Sequence, residues 1–93
     1  MRLIKDSEIK DLPKLYETEN VKTENKVLQM MFQSENGWCW YLVEIDDKSK
    51  DGFGFVRGFE DEWGYFNLNE MSAIPSITRN EDFKKIKFKE LKC

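Results

Sequence analysis

Ninety-three residues with 40 % hydrophobic and 35 % charged side chains describe one folded domain, residues 1–93, rather than a disordered segment. Histidine is absent, and two cysteines, Cys39 and Cys93, make neither a disulfide framework nor a Cys-x-x-Cys half of a zinc site. No apolar run approaches the roughly 20 residues that span a bilayer, and charge at Lys5 and Asp6 interrupts any signal-peptide core, so a cytoplasmic protein without a membrane partner is expected.

In chain order, Ser7 reads as a helix N-cap with Glu8 in the first turn, where a carboxylate suits the dipole. A helix over residues 7–16 would place Ile9, Leu12 and Leu15 on one stripe, with Pro13 limiting it to short turns. Residues 17–25 are polar and read as a loop. Residues 26–33 form the first strand, with Val27, Gln29 and Met31 on one side and Leu28, Met30 and Phe32 on the other. Asn36-Gly37, two residues tolerant of positive φ, then signals a hairpin into a second strand over 38–45. A polar turn over 46–52 leads to a third strand over 53–59. An acidic turn, Glu60-Asp61-Glu62, leads to a fourth over 63–68. Across that turn Arg57 and Glu62 are expected opposite one another, close enough for a cross-strand ion pair.

Asn69 reads as the cap of a short helix through Ala73, stopped by Pro75, and residues 76–82 read as irregular. In residues 84–91, Lys85, Lys87 and Lys89 alternate with Ile86 and Phe88, the pattern of an edge strand or extended tail. Arg79 to Cys93 carries six basic and three acidic residues, so the remaining chain holds 9 basic and 15 acidic ones. An acidic body disfavours the phosphate backbone, and lysines on a terminal strand discourage edge-to-edge aggregation. The expected fold is α+β: an antiparallel meander of four or five strands with short helices at 7–16 and 69–73 covering one face.

Aromatic residues crowd the middle of the chain. All three tryptophans and four of the seven phenylalanines lie between Trp38 and Phe66. Alternation puts rings on both faces of these strands, more than one small core absorbs, so the excess is either a second packed layer or a binding surface. Gly52-Phe53-Gly54-Phe55-Val56 resembles the ribonucleoprotein signature of RNA-recognition motifs and cold-shock domains, in which rings at i and i+2 stack bases. Phe53 and Phe55 have that spacing, Arg57 extends the row, and Trp38 and Trp40 lie on the neighbouring strand. Against it stand Asp51 at the leading basic position and the acidic 60–62 turn. Glycine beside aromatics also serves packing, by letting a ring lie over bare backbone.

Catalysis has little support. Glu44, Asp46, Asp47 and Glu62 form no ordered pair, and Cys39 has no base to activate it. Asp46, Asp47 and Asp51 lack the spacing of a calcium loop. No catalytic residue, metal site or cofactor is expected.

Leu12-Pro13-Lys14-Leu15-Tyr16-Glu17-Thr18-Glu19, Lys26-Val27, Trp38-x-Trp40-Tyr41-x-x-Glu44 and Phe53-Gly54-x-Val56-x-Gly58-Phe59-Glu60-x-Glu62-x-Gly64-Tyr65-Phe66-x-Leu68-x-Glu70 together carry a second resemblance. They resemble a family of small uncharacterised proteins of bacteria, phages and plasmids, a domain of unknown function. The match runs from Leu12 to about Phe83. The resemblance implies a shared fold and a mobile-element setting, and implies no activity.

The expectation that follows is a small non-enzymatic binding protein of a mobile genetic element that engages a host protein. By analogy of setting, it is an inhibitor of a host defence system of the anti-CRISPR or anti-restriction kind. The expected contact residues are Trp38, Trp40, Phe53, Phe55, Arg57, Glu60, Asp61, Glu62 and Trp63. The alternatives are single-stranded nucleic-acid binding by stacking on the sheet and a homodimer formed through the surplus rings.

Overall fold

The computed structural model describes residues 1–92; Cys93 lies outside them. Seven strands are present: β1 (Val27–Leu28), β2 (Met30–Ser34), β3 (Cys39–Ile45), β4 (Asp51–Arg57), β5 (Asp61–Asn67), β6 (Ile77–Arg79) and β7 (Ile86–Lys87). Two short α-helices, α1 (Asp6–Ile9) and α2 (Leu68–Ser72), and two 3₁₀ turns, Thr23–Asn25 and Phe88–Glu90, complete the set. Five strands make one antiparallel sheet in the order β5-β4-β3-β2-β6, and β1 pairs separately with β7. The expected α+β architecture and the β2-to-β5 meander are present.

Local chemistry sets each connection. Between β2 and β3 only Gly37 takes a positive φ, +93°, and Ser34 N–H donates to the Trp38 carbonyl at 2.9 Å. The loop is therefore three residues closed by a left-handed glycine, not a two-residue turn with Asn36 also left-handed. Between β3 and β4, Asp46 Oδ2 accepts from Ser49 N–H at 2.7 Å and from its hydroxyl at 2.8 Å. These bonds, the backbone one foremost, hold the Asp46 carboxyl below its ordinary range. Asn67, not Asn69, caps α2: its side chain accepts from Glu70 N–H at 3.0 Å.

The β4–β5 hairpin turns two residues earlier than the sequence suggested. Its loop is 58–60, so Arg57 pairs with Asp61 and Glu62 pairs with Val56. Neighbouring strand residues point to opposite faces, which puts Glu62 on the other side of the sheet from Arg57. Among the described residues Arg57 forms no ion pair; its guanidinium lies 5.7 Å from the Phe55 ring centroid.

Two cores sandwich the sheet. On one face Met30, Phe32, Leu42, Ile45 and Ile77 meet Leu3, Ile4, Ile9, Leu12, Leu68 and Met71, so both α-helices cover this side. α1 is one turn long and begins after Lys5, without a side-chain N-cap from Ser7. The N-terminal arm is instead fixed by charge. Arg2 donates to the carbonyls of Ser72, Ile74 and Ile77 at 3.2, 2.9 and 2.8 Å, and Arg79 grips the Glu8 carboxylate through two 2.8 Å bonds. On the other face Leu28, Tyr41, Val43 and Phe55 are covered by Phe83, Ile86, Phe88 and Leu91 of the C-terminal segment. That segment is not a long edge strand: after two residues of β7 it tightens into the 3₁₀ turn, and Phe88 N–H donates to the Lys26 carbonyl at 2.9 Å.

Candidate functional site

The nominated contact residues do not form one surface. Trp38 and Trp40 stack near each other, centroids 6.0 Å apart, with Trp40 against the helix-side core. Phe53, Phe55, Arg57 and Trp63 belong to the opposite face, and Phe55 is only 7 % exposed. Its ring meets Phe88 edge-on at 4.8 Å and Trp63 at 5.5 Å, so the tail seals the position where a base would stack. The rings expected to make an exposed row are largely a second core. Cys39 lies opposite Arg57, and burial pushes its thiol above the ordinary range despite that cation.

Two places on this framework remain open. The first is the β4–β5 hairpin tip. Phe59 is 95 % exposed, and Glu60, Asp61 and Glu62 beside it are exposed as well. The Phe59 and Trp38 rings lie nearly perpendicular with centroids 5.3 Å apart, and Trp38 lies over Gly58, where an added Cβ would come within 2.4 Å of its ring. Gly58 is thus the bare backbone that lets a tryptophan brace the tip.

The second lies at the other end of the same hairpin, where the tail no longer covers the sheet. Phe53↔Tyr65 is four residue pairs from Arg57↔Asp61, about 13 Å along the strands. Here a β-bulge changes which residues point where. The register between β3 and β4 shifts between Leu42 and Glu44, so Glu44 pairs with Phe53 and joins its face, while Ile45 returns to the helix side. Glu44 is 3 % exposed, yet its carboxylate is satisfied. Tyr16 N–H donates to Oε1 at 2.8 Å; Thr18 N–H donates to Oε2 at 2.9 Å, as does the Thr18 hydroxyl. Lys26 Nζ donates to the Thr18 carbonyl at 2.6 Å and contacts the Thr18 hydroxyl at 3.2 Å.

One buried carboxylate therefore folds the polar 14–18 segment over the sheet end and fixes Tyr16 at φ +70°, a left-handed conformation that a bulky side chain seldom adopts. The result is a cavity of about 250 Å³ lined by Tyr16, Glu19, Lys26, Glu44, Phe53 and Tyr65. Phe53 and Tyr65 meet at 5.1 Å with their planes 55° apart. The Tyr65 hydroxyl is pushed above its ordinary range, first by side-chain hydrogen bonding with Tyr16, then by partial desolvation and the carboxylates of Glu44 and Glu19. The field at the cavity mouth is negative.

Of these six residues only Phe53 stood among the nominated contacts, and Glu44 had been weighed as an acid–base group. Among the described residues no group of three or more Cys, Asp or Glu side chains is arranged to hold a metal ion, and no helix is long and apolar enough to cross a membrane. Comparison with known protein families, curated proteins and solved structures finds no match to this chain.

Proposed function

We propose that this chain is a non-enzymatic binding protein that engages a basic surface of a host protein through the β4–β5 hairpin. The observation that carries the reading is Phe59: a ring 95 % exposed at the hairpin tip, beside Trp38 and next to the exposed carboxylates of Glu60, Asp61 and Glu62. An ordered exposed aromatic within an acidic rim has the make-up of an interface anchor with electrostatic steering around it. The buried Phe55 supports a protein partner over stacked nucleic acid, since one of the two signature rings is inaccessible. The mobile-element setting comes from the motif resemblance alone. With the acidic body it motivates the specific target, a nucleic-acid-binding groove of a CRISPR or restriction nuclease.

The test compares wild type with Glu60→Ala/Asp61→Ala and with Phe59→Ala in cleavage assays of such nucleases and in direct binding to them. Inhibition by wild type is expected, with slower association for the double variant and faster dissociation for Phe59→Ala. Absence of any protein partner at micromolar concentration removes the reading. Tryptophan quenching by mixed oligonucleotides that weakens steeply with salt replaces it with single-strand binding.

A further inference from the structure

Tyr16 holds a left-handed conformation that a bulky residue seldom adopts, in a segment where glycine or asparagine would hold it with less strain. What the strained backbone achieves is position. The Tyr16 ring, 63 % exposed, stands beside Tyr65, 60 % exposed, above Phe53. Three aromatic walls thus line a space whose charged groups are two carboxylates, Glu19 and Glu44, and one ammonium, Lys26. The ammonium is turned away to the Thr18 carbonyl and hydroxyl, so it does not offer itself to an incoming anion. Glu44 spends three of roughly four acceptor sites on the 14–18 segment, and Glu19 is exposed at the rim.

We propose that this cavity binds the guanidinium of an arginine side chain presented by the protein partner. Aromatic faces and acceptor oxygens in one place match a flat cation that stacks through its plane and donates hydrogen bonds through its edge. An ammonium, a point charge, uses only part of that. The cavity and the acidic tip lie along the same hairpin, with β5 at the sheet edge, so a basic surface seated on Glu60 and Asp61 runs toward it. The proposal rests on the binding-protein reading and names the residue such a partner inserts. Glu44 acts as a positioning residue through the Tyr16 and Thr18 backbone, and Glu19, Tyr16, Phe53 and Tyr65 make the contact.

The experiment is an amide-resolved NMR titration of the intact protein with N-acetyl-arginine methylamide, alongside the citrulline, lysine and free-arginine counterparts. Arginine amide is expected to give saturable shifts at residues 16–19, 44 and 65, with dissociation on the order of 1–10 mM for so small a probe. Glu19→Gln and Tyr65→Leu should each weaken it at least about fivefold, the order of one lost cation–π or charged contact. Tyr16→Asn separates binding from folding: asparagine tolerates the left-handed backbone, so melting temperature should hold or rise while the shifts fade. Equal shifts from neutral citrulline amide, tighter binding of lysine amide, or an unaffected Glu19→Gln variant would overturn the proposal. Tighter binding of free arginine than of the blocked amide would overturn it too, by marking a small-molecule site. If the cavity fails these tests while Glu60→Ala/Asp61→Ala still loses its protein partner, the binding-protein reading survives without it.

Discussion

The two faces of the central sheet are closed by different means. The helix side is mostly aliphatic around Phe32, with Phe32, Leu42, Ile45 and Leu68 at 0–1 % exposure, and its cover is locked by Arg2 and by the Glu8–Arg79 pair. The tail side is built of rings, Tyr41, Phe55, Trp63, Phe83 and Phe88, each within 4.8–6.4 Å of another, under a cover with only two residues of strand. A small domain with too many aromatics for one core has made a second, thinner one. Both candidate contact regions lie on the β4–β5 hairpin, one at its tip and one at the opposite end.

The largest expected effect lies between the faces. A Cβ on Gly54 would stand 1.8 Å from the Tyr41 carbonyl oxygen, a backbone atom that cannot step aside. Gly54→Ala should cost about 4 kcal/mol or more, or abolish folding. Gly64→Ala on the neighbouring strand meets nothing within 4 Å and should be neutral within about 0.5 kcal/mol or slightly stabilising. Denaturant melts of the two variants check both, and similar losses would break the distinction.

Next comes the contrast between cores. Phe32→Ala should cost about 3–5 kcal/mol, the usual range for a sealed phenylalanine. Phe88, half-buried on the tail side, should cost about 1–2 kcal/mol on truncation and change Trp63 fluorescence by uncovering it. Equal costs would mean the tail is a full core layer rather than a cover.

The smallest effect is electrostatic. Hydrogen bonding to Arg79, partly opposed by burial, lowers the Glu8 carboxyl from 4.5 to about 2. The folded state therefore holds its proton less tightly than the unfolded one. The stabilisation is complete above about pH 5 and is lost as pH falls from the unfolded pKa toward about 2. Because the pair is partly solvated, the gain should stay near or under about 1 kcal/mol. Glu8→Gln should flatten that part of the pH–melting curve; an unchanged curve would show that the arm is held by Arg2 and its apolar contacts without help from the Glu8–Arg79 pair.

How much of this was legible depended on repeat length. Strands of five to seven residues with alternating rings and turn residues between them announced the meander. β6, three residues with one buried side chain, offers no period to read, and its sequence reads as irregular. The first strand was read as continuous because Leu28 and Met30 continue the alternation, yet it divides at Gln29 when β1 turns to β7. The tail's lysine alternation identified a half-buried segment without saying what it would cover. The cavity was the least accessible part. Its buried carboxylate reaches that face only because one extra residue interrupts the β3–β4 register, and strict alternation assigns Glu44 to the other side. Tyr16 falls at the end of the helix expected over 7–16, where nothing in the sequence reveals a left-handed backbone.

The Arg2 clamp also bears on how the chain is made. Its three carbonyl acceptors lie 70 to 75 residues downstream, and Arg79 lies 71 residues beyond Glu8. At common translation rates those partners emerge roughly 4–15 s after the residues that need them. Throughout that interval Leu3, Ile4 and Ile9 have no finished surface to bury against, so residues 2–9 settle only after the segment around Arg79 is made. Protease cleavage within residues 2–9 of nascent chains stalled before and after residue 79 emerges would show that order, with protection arriving only in the longer chains.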